Sequence, residues 1–283
     1  MNTKKIDLHV HSTFSDGTMT PKELVMEAQK SELSAMALTD HDTTAGIREA
    51  EAAASHTLLE IIPGVELSSE YDKREIHIVG LFIDPENQEL SDALSHFQTA
   101  RDTRNDRIVA LLQEEGFDIT MEALLSDNPD AVITRANIAR FLVDHGQIGS
   151  ISHAFEKYLG DDCPCYVPRE KISAMDACRL IRTAGGLPIL AHPILYHMNQ
   201  ITLNRMIEEL VPFGLAGMEA IYSTYTKGDE ALMRKTAAEH GLLLSGGSDF
   251  HGSNKPYIHL GCGRGNMFVP YELLTKLKAA LSL

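Results

Sequence analysis

Positively charged residues are scarce in this sequence. It has 25 lysines and arginines against 40 aspartates and glutamates, which gives a formal net charge of −15. Surfaces that bind long nucleic acids are normally basic, so we expect no large nucleic-acid-binding surface. A small phosphorylated substrate is still compatible with this charge, because metal ions in a local pocket would supply positive charge of their own.

Cysteines are few, and tryptophan and long apolar runs are absent. The four cysteines are Cys163, Cys165, Cys178 and Cys262. The spacing of Cys163 and Cys165 does not fit a zinc knuckle and no second pair completes one, so we interpret the cysteines as reduced thiols. No apolar run approaches the ~20 residues of a membrane span, and the first residues lack the apolar core of a signal peptide. We therefore expect a soluble, cytoplasmic protein without a membrane partner.

Short apolar strands alternate with helical segments along most of the chain. This order favours parallel strands joined by crossover helices, in an α/β fold. The count of about seven strands predicts a (β/α)7 barrel; a doubly wound open sheet is the alternative, but no glycine-rich dinucleotide motif follows the first strand. We predict that 1–86 and 169–283 form the barrel. The charged, helix-periodic stretch 87–168 is predicted to be a helical insertion that covers the mouth of the barrel.

Potential metal ligands stand at the carboxyl end of nearly every predicted strand, which is where barrels carry their functional side chains. His9 and His11, in the stretch IDLHVHS, are two residues apart and therefore share one face of the first strand. Glu66 is placed at the end of the third strand. The whole set is His9, His11, Asp16, His41, Glu66, His77, His192, Asp249 and His251.

Each of these residues has an ordinary alternative explanation. A single histidine at a strand end is commonly structural, Asp16 fits a turn, and Asp40 or Asp42 fits the N-cap of the following helix. Together, however, so many ionisable groups in one concave site require compensating charge. Imidazole and carboxylate donors suit Zn²⁺, Mn²⁺ or Fe²⁺, and about nine of them imply two or three ions.

The same residues resemble the signature of the PHP family, named for polymerase and histidinol phosphatase. The resemblance implies a distorted seven-stranded TIM-like barrel with a trinuclear metal centre. One ion would be held by His9, His11, Glu66 and Asp249. A second would share Glu66 and add His77 and His192, and a third would take Asp16, His41 and His251. An aspartate at position 16 is a harder ligand and favours Mn²⁺ or Fe²⁺; we expect Mn²⁺, with Zn²⁺ and Fe²⁺ as the alternatives. Asp40 is expected to support its neighbours rather than bind metal.

Within that family the chain resembles the nucleoside 3′,5′-bisphosphate phosphatases, some of which also act as 5′→3′ exonucleases on short RNA. The motifs are DNPxxxxxR at 127–135, KYL at 157–159, and AHP followed by Tyr196. The implied reaction removes the 3′-phosphate and leaves a nucleoside 5′-monophosphate. The attacking hydroxide would be bound to metal held by Glu66, Asp249 and His192.

Few cations are available to hold the phosphates of such a substrate. We predict that Arg135 and Lys157 in the insertion bind it and that Tyr222 stacks on the base, with Tyr166 and Tyr225 as further aromatic candidates. Arg101, Arg104 and Arg107 recur at helical spacing and are interpreted as a solvated helix face.

Three alternative functions stay open. The chain could be a histidinol-phosphate phosphatase or a general phosphoesterase, which would use the same chemistry. An amidohydrolase also begins its barrel with two histidines spaced in this way, and a non-catalytic binding module could keep the fold.

Overall fold

The computed structural model describes residues 4–127, 129, 131–168 and 171–281. One mixed sheet runs in the order β8-β7-β6-β4-β3-β2-β1-β9, and β5 pairs with β3. The strands of the described chain are β1 (Lys5–Val10), β2 (Leu33–Leu38), β3 (Glu60–Tyr71), β4 (Arg74–Leu81), β5 (Ile172–Ser173), β6 (Leu187–Leu190), β7 (Gly217–Tyr222), β8 (Leu243–Gly247) and β9 (Val269–Pro270).

Helices separate most of the strands. They are α1 (Pro21–Lys30), α2 (Ile47–Ala54), α3 (Gln88–Glu114), α4 (Met121–Asp127), α5 (Arg135–Asp144), α6 (Ile151–Ala154), α7 (Ala174–Thr183), α8 (Gln200–Leu210), α9 (Lys227–Glu239) and α10 (Tyr271–Leu281). A π turn at Phe155–Leu159 follows α6. Among the described helices, none is both long enough and apolar enough to cross a bilayer.

The first and eighth strands meet and close the sheet into a barrel. The amide of Asp249 donates to the carbonyl oxygen of His9 (2.9 Å), and the amide of His11 donates to that of Phe250 (3.0 Å). A Cβ at Gly247 would lie 2.4 Å from the Cβ of His9, so glycine permits this close approach. The predicted barrel is therefore confirmed, and the open doubly wound sheet is wrong.

The strand directions differ from the all-parallel prediction. β4 runs antiparallel to both β3 and β6, whereas β1–β2, β2–β3, β6–β7 and β7–β8 are parallel. Asp72 and Lys73 form the tight turn between β3 and β4, with φ of 49° and 62°. Two left-handed residues in succession give the twist that suits a hairpin. The placement of Glu66 at a strand end is also wrong, because β3 continues to Tyr71 and leaves Glu66 in mid-strand.

Local capping explains where two of the helices begin. Thr20 and Glu23 form the reciprocal hydrogen bonds of a capping box at the start of α1, and Pro21 is its first residue. Helix α2 instead begins after Gly46, with no side-chain cap. The alternative role of Asp40 or Asp42 as an N-cap is therefore wrong.

The apolar side chains lie in three clusters. Val10 shares the largest with Leu24 of α1, whereas Leu8 lies in a second that includes Leu274 of α10. The third is formed by residues between β4 and β5. The 27-residue helix α3 joins two of them, because Leu90 lies in the first cluster and Leu112 in the third. This helix thereby fixes the segment between β4 and β5 on the barrel.

Candidate active site

Glu66 lies at the centre of a buried cluster of imidazoles. Its carboxylate oxygens are 2.9–3.3 Å from ring nitrogens of five histidines: His9, His11, His41, His77 and His192. The loop that carries His41 is fixed along β3, since the amide of Glu66 donates to Asp40 (3.1 Å) and the amide of Asp42 donates to Glu66 (3.0 Å). A mid-strand position thus allows Glu66 to face ligands from both sides.

Asp249 and Asp16 add two further carboxylates to this cluster. Asp249 Oδ1 lies 3.3 Å from His11 Nε2 and 3.6 Å from His9 Nε2. Asp16 Oδ1 lies 3.1 Å from His251 Nε2, and Asp16 Oδ2 lies 3.8 Å from His41 Nε2. The structure therefore brings all nine side chains of the sequence-predicted set into one cluster.

The nine side chains form overlapping groups whose donor atoms lie within 4.8 Å of one another. Four groups of this kind occur among the described residues: His11–Asp16–His41–His251, His9–Glu66–His192, His9–His11–Asp249 and His41–Glu66–His77. The first adds His11 to the third ion site that the family resemblance implies. The remaining groups divide Glu66, His77 and His192 differently from the implied second site, since His77 and His192 appear in separate groups.

Burial and neighbouring charges shift the pKa values of the clustered side chains in opposite directions. Burial alone would lower the pKa of His11 and His77, but neighbouring carboxylates raise them to about 9 and about 10 respectively. Burial lowers the pKa of His41 to about 3. For Glu66, burial acts to raise the pKa, but His9, His77 and His41 hold it well below the usual range. When protons alone compensate the carboxylates, His11 and His77 are therefore charged while the neighbouring His41 is neutral.

Divalent cations fit this site better than protons do. Asp16 Oδ1, His41 Nδ1 and Glu66 Oε2 are buried and make no hydrogen bond within the described part of the chain. Unpartnered buried polar atoms are costly, and a metal ion satisfies carboxylate oxygens and imidazole nitrogens together. The mixed imidazole and carboxylate donors match the preferences of Zn²⁺, Mn²⁺ and Fe²⁺. The donor set of this site is that of a metal-binding centre.

Three residues around this centre have left-handed backbone conformations. They are Asp42 (φ 52°), His192 (φ 30°) and Asp249 (φ 54°). Such conformations are unfavourable for residues other than glycine and persist where surrounding contacts hold them. His192 and Asp249 belong to the predicted ligand set. The surrounding contacts therefore hold these two residues in an unfavourable backbone conformation that directs their side chains into the cluster.

Polar residues outside the ligand set hold the ligands in place. Asp40 accepts hydrogen bonds from the amide (2.7 Å) and hydroxyl (2.6 Å) of Ser12 and from the hydroxyl of Ser15 (2.6 Å), which orders the loop that leads to Asp16. Asp249 Oδ2 accepts from Tyr222 (2.6 Å) and Lys255 (2.5 Å). These contacts leave Asp249 Oδ1 directed towards the histidines.

A cavity of about 240 Å³ opens beside the metal centre. Asp16, His41 and His77 line one part of it. Together with one further carboxylate, Glu75, four cations also line it: Arg101, Arg104, Arg135 and Lys171. In an acidic protein, this concentration of positive charge beside a metal centre favours an anionic ligand with more than one charged group.

The interpretation of Arg101 and Arg104 as part of a solvated helix face is wrong. They are 5% and 7% exposed, whereas Arg107 is exposed as expected. Arg101 pairs with Asp42, next to His41, and both arginines line the cavity. The charges do recur at helical spacing, but this face of α3 is turned towards the barrel and not towards water.

The predicted substrate-binding residues have different environments. Arg135 lines the cavity and lies 3.6 Å from Glu75, and its guanidinium stacks over the ring of Tyr166. Lys157 is exposed on the π turn and does not line this cavity. Tyr222 is 5% exposed and is hydrogen-bonded to Asp249, so its ring is not free to stack on a base. Tyr225 is likewise buried.

Part of the sequence motif at 127–135 lies outside the described residues. Asp127, Pro129 and Arg135 are described, whereas Asn128 and Asp130 are not. The predicted boundary at 168/169 also falls beside residues outside the description, since Arg169 and Glu170 are not described.

Three functional candidates escaped the sequence interpretation: Glu75, Lys171 and Glu219. Glu75 lies 3.5 Å from His77 and accepts a hydrogen bond from Lys171 (2.8 Å) at the wall of the cavity. Glu219 lies 2.9 Å from His9. The signal for Glu219 was present, because it is the one charged residue within the apolar run LAGMEAIY and such a charge needs a partner.

Comparison with known proteins gives relatives that match along most of the chain. The family model for the PHP domain matches residues 7–185. A protein of Haemophilus influenzae named 5′-3′ exoribonuclease is 38% identical over 249 residues, covering 88% of this chain and 90% of the relative. A protein of Chromobacterium violaceum named 3′,5′-nucleoside bisphosphate phosphatase is 37% identical over 248 residues, 87% of each chain.

A solved structure has the same overall fold. It is described as an amidohydrolase from Chromobacterium violaceum with bound sulfate and no metal, and it is 34% identical with a TM-score of 0.87, covering 97% of this chain and 96% of its own. The family model and this structure agree with the barrel fold. The chain belongs to the PHP-domain family.

Proposed function

We propose that this chain is a metal-dependent phosphatase that removes the 3′-phosphate of nucleoside 3′,5′-bisphosphates. The observation that carries the proposal is the cavity, in which Arg101, Arg104, Arg135 and Lys171 lie beside the metal centre. A substrate with two phosphates needs one site for the reacting phosphate and another for the phosphate that stays. The names of the Chromobacterium violaceum and Haemophilus influenzae relatives support the nucleotide class.

The nine clustered side chains are proposed as the ligands, with two to three Mn²⁺ ions as the cofactor and Zn²⁺ or Fe²⁺ as alternatives. Asp16 supports Mn²⁺ because a carboxylate is a harder donor than an imidazole. When bound, such ions neutralise the phosphoryl oxygens and lower the pKa of water. Glu66, Asp249 and His192 are proposed to hold the ions that face the scissile phosphate.

The chain's own cations are proposed to position the second phosphate. Arg101 and Arg104 project from α3, Arg135 from the start of α5, and Lys171 from the residue before β5. Hydrogen bonds between guanidinium groups and phosphate are bidentate and strong, so these arginines would orient the substrate as well as attract it. Phe155, Tyr166 and Val167 add an apolar wall that fits the nucleoside.

We propose that residues 87–168 form a helical insertion that covers the mouth of the barrel. Three contacts between this segment and the barrel support the proposal. The amide of Val132 donates to Phe14 (2.9 Å), Asn137 donates to Ser15 (3.1 Å), and Thr134 lies 3.4 Å from Asp16. A cover of this kind would exclude water from the phosphates and complete the cationic wall.

Degradation of short 5′-phosphorylated RNA in the 5′→3′ direction is proposed as a second activity. It uses the same chemistry, because in both reactions water attacks the phosphorus and the bond from phosphorus to the 3′-oxygen of a nucleoside 5′-monophosphate breaks. In RNA the attacked phosphate also carries the rest of the chain, which keeps it as a new 5′-phosphate. The name of the Haemophilus influenzae relative favours this activity. The acidic composition and the small cavity support short oligonucleotides over long ones.

A cytoplasmic location is also proposed for the protein, since the proposed substrates are nucleotides and the four cysteines are free thiols.

A substrate panel with Mn²⁺ tests the proposal. We expect phosphate release from adenosine 3′,5′-bisphosphate to be much faster than from histidinol phosphate, and 5′-AMP to be the nucleotide product. A 5′-phosphorylated tetranucleotide should be shortened from its 5′ end. Absence of bisphosphate turnover, with histidinol phosphate hydrolysed instead, would overturn the proposed substrate but keep the phosphatase chemistry.

A further inference from the structure

Glu219 is a buried carboxylate outside the proposed ligand set. It lies in β7, a strand whose six residues are all buried, and its own exposure is 1%. Residue 220 is an extra residue in β7 opposite β8, because Glu219 pairs with Ser245 and Ile221 pairs with Gly246. Such bulges redirect side chains next to functional sites.

Both carboxylate oxygens of Glu219 are used by residues of the metal centre. Oε1 lies 2.9 Å from Nδ1 of His9. Oε2 accepts a hydrogen bond of 2.7 Å from the backbone amide of His192. One side chain therefore contacts two predicted ligands, which come from the ends of β1 and β6.

The contact with His9 selects the ring nitrogen that faces the other ligands. When Nδ1 carries the proton that Glu219 accepts, Nε2 keeps a free lone pair. His9 Nε2 lies 3.3 Å from Glu66 Oε2 and 3.6 Å from Asp249 Oδ1, so this lone pair is directed into the centre. A different tautomer would place a hydrogen where a metal ion belongs.

The contact with His192 holds a strained backbone. His192 has φ 30° and ψ 53°, a left-handed conformation that its amide hydrogen bond to Glu219 stabilises. In this conformation His192 Nε2 lies 3.1 Å from Glu66 Oε1. Loss of the hydrogen bond would let the backbone relax and move the imidazole away from Glu66.

We propose that Glu219 is a positioning residue that holds His9 and His192 for metal binding. The inference rests on the metal centre of the proposed function. The described hydrogen bonds of Glu219 reach neither Asp16, His41 nor His251. Glu219 therefore serves the ions bound through His9 and His192, and the group His11–Asp16–His41–His251 binds its ion without it.

The test compares Mn²⁺ retention in the wild type, Glu219→Gln and a matched control, Glu209→Gln. Glutamine keeps one acceptor oxygen but presents an NH₂ group to the second donor. Glu209 also accepts a hydrogen bond, from Tyr71 (2.8 Å), but lies away from the centre. Each protein is stripped of metal, loaded, and dialysed against buffered free Mn²⁺, and the bound equivalents are counted. Melting of the metal-free proteins is measured in parallel.

We expect Glu219→Gln to bind the ions held through His9 and His192 about 10–100-fold more weakly and to retain the ion of the Asp16 group. Glu209→Gln should retain the wild-type number of ions. Glu219→Asp keeps the charge, but its side chain is too short for both contacts, so we expect an intermediate loss of bound Mn²⁺. This variant replaces Glu219→Gln in the test if the glutamine variant does not fold.

Full Mn²⁺ retention by both Glu219 variants would overturn the inference while leaving the metal centre intact. Equal weakening of every ion, accompanied by a lower melting temperature of the metal-free variant, would also overturn it, because that is the behaviour of a residue that supports only the fold. A wild-type chain that bound no Mn²⁺ would overturn the metal centre and this inference together.

Discussion

Arg135 and Lys157 are two cations of one segment with different environments. Only Arg135 lines the cavity, whereas Lys157 is exposed on the π turn. We expect Arg135→Met to raise KM for a nucleoside bisphosphate by about 10–100-fold, since a hydrogen bond to a charged group contributes about 1.5–3 kcal/mol. Steady-state kinetics measures this change. Lys157→Met removes the same charge and should leave KM within about twofold of the wild type; equal effects of the two substitutions would show that only overall charge matters.

Glu66 and Asp16 differ in how many ligands they contact. Glu66 lies within 3.3 Å of five histidines, while Asp16 lies within that distance of His251 alone. We expect Glu66→Gln to lose more than one equivalent of bound metal and Asp16→Asn to lose one. Elemental analysis after dialysis counts the equivalents. A larger loss from Asp16→Asn than from Glu66→Gln would contradict the central position of Glu66.

The clustering of the nine site residues could be predicted from the sequence because they lie within or directly after successive apolar strands. Charged residues next to buried strands are conspicuous, and the barrel brings strand ends together. The burial of Arg101 beside the site could not be predicted from the sequence. Its helical spacing is compatible with a solvated face or a buried one, and only the packing of α3 against the barrel decides between them.

The hairpin between β3 and β4 is the element that most changes the predicted topology. Its turn residues are Asp72 and Lys73, both left-handed, where asparagine and glycine are the usual choice. The polar turn was visible in the sequence, but without glycine it gave no sign of the antiparallel pairing that follows. A longer β3 is the consequence, and it is the reason that Glu66 lies in mid-strand.

The same turn offers a stability prediction. Lys73 is exposed with φ 62°, so Lys73→Gly relieves a left-handed conformation and should stabilise the protein by about 1 kcal/mol. A chain of this size would melt about 2–4 °C higher, which calorimetry can detect. Lys235→Gly is the matched control. Lys235 is exposed within α9, so glycine there should lower stability by about 1 kcal/mol. Destabilisation by both substitutions would contradict the turn conformation.

At the scale of the whole molecule, we expect metal binding to release protons from the histidines of the site. In the metal-free site, carboxylates raise the pKa of His11 to about 9 and that of His77 to about 10, so both imidazoles are protonated at pH 7. Metal binding requires their neutral forms and therefore displaces protons. Metal affinity should rise with pH by about tenfold per unit for each proton displaced, until the pH passes these pKa values. Titration calorimetry in buffers of different ionisation enthalpy counts the protons; no release at pH 7 would contradict the charge states.

The closure of the barrel has a consequence for the newly made chain. His9 belongs to the first strand, yet its neighbours Glu219 and Asp249 lie more than 200 positions later, and Asp249 donates its amide to the carbonyl of His9. Contacts so distant along the chain form late in folding. The ribosome must therefore release the chain at least as far as Asp249 before the full set of ligands can bind the ions. Activity therefore requires that synthesis has passed β8. Fragments that end before β8 should bind fewer ions and should not hydrolyse cellular nucleotides.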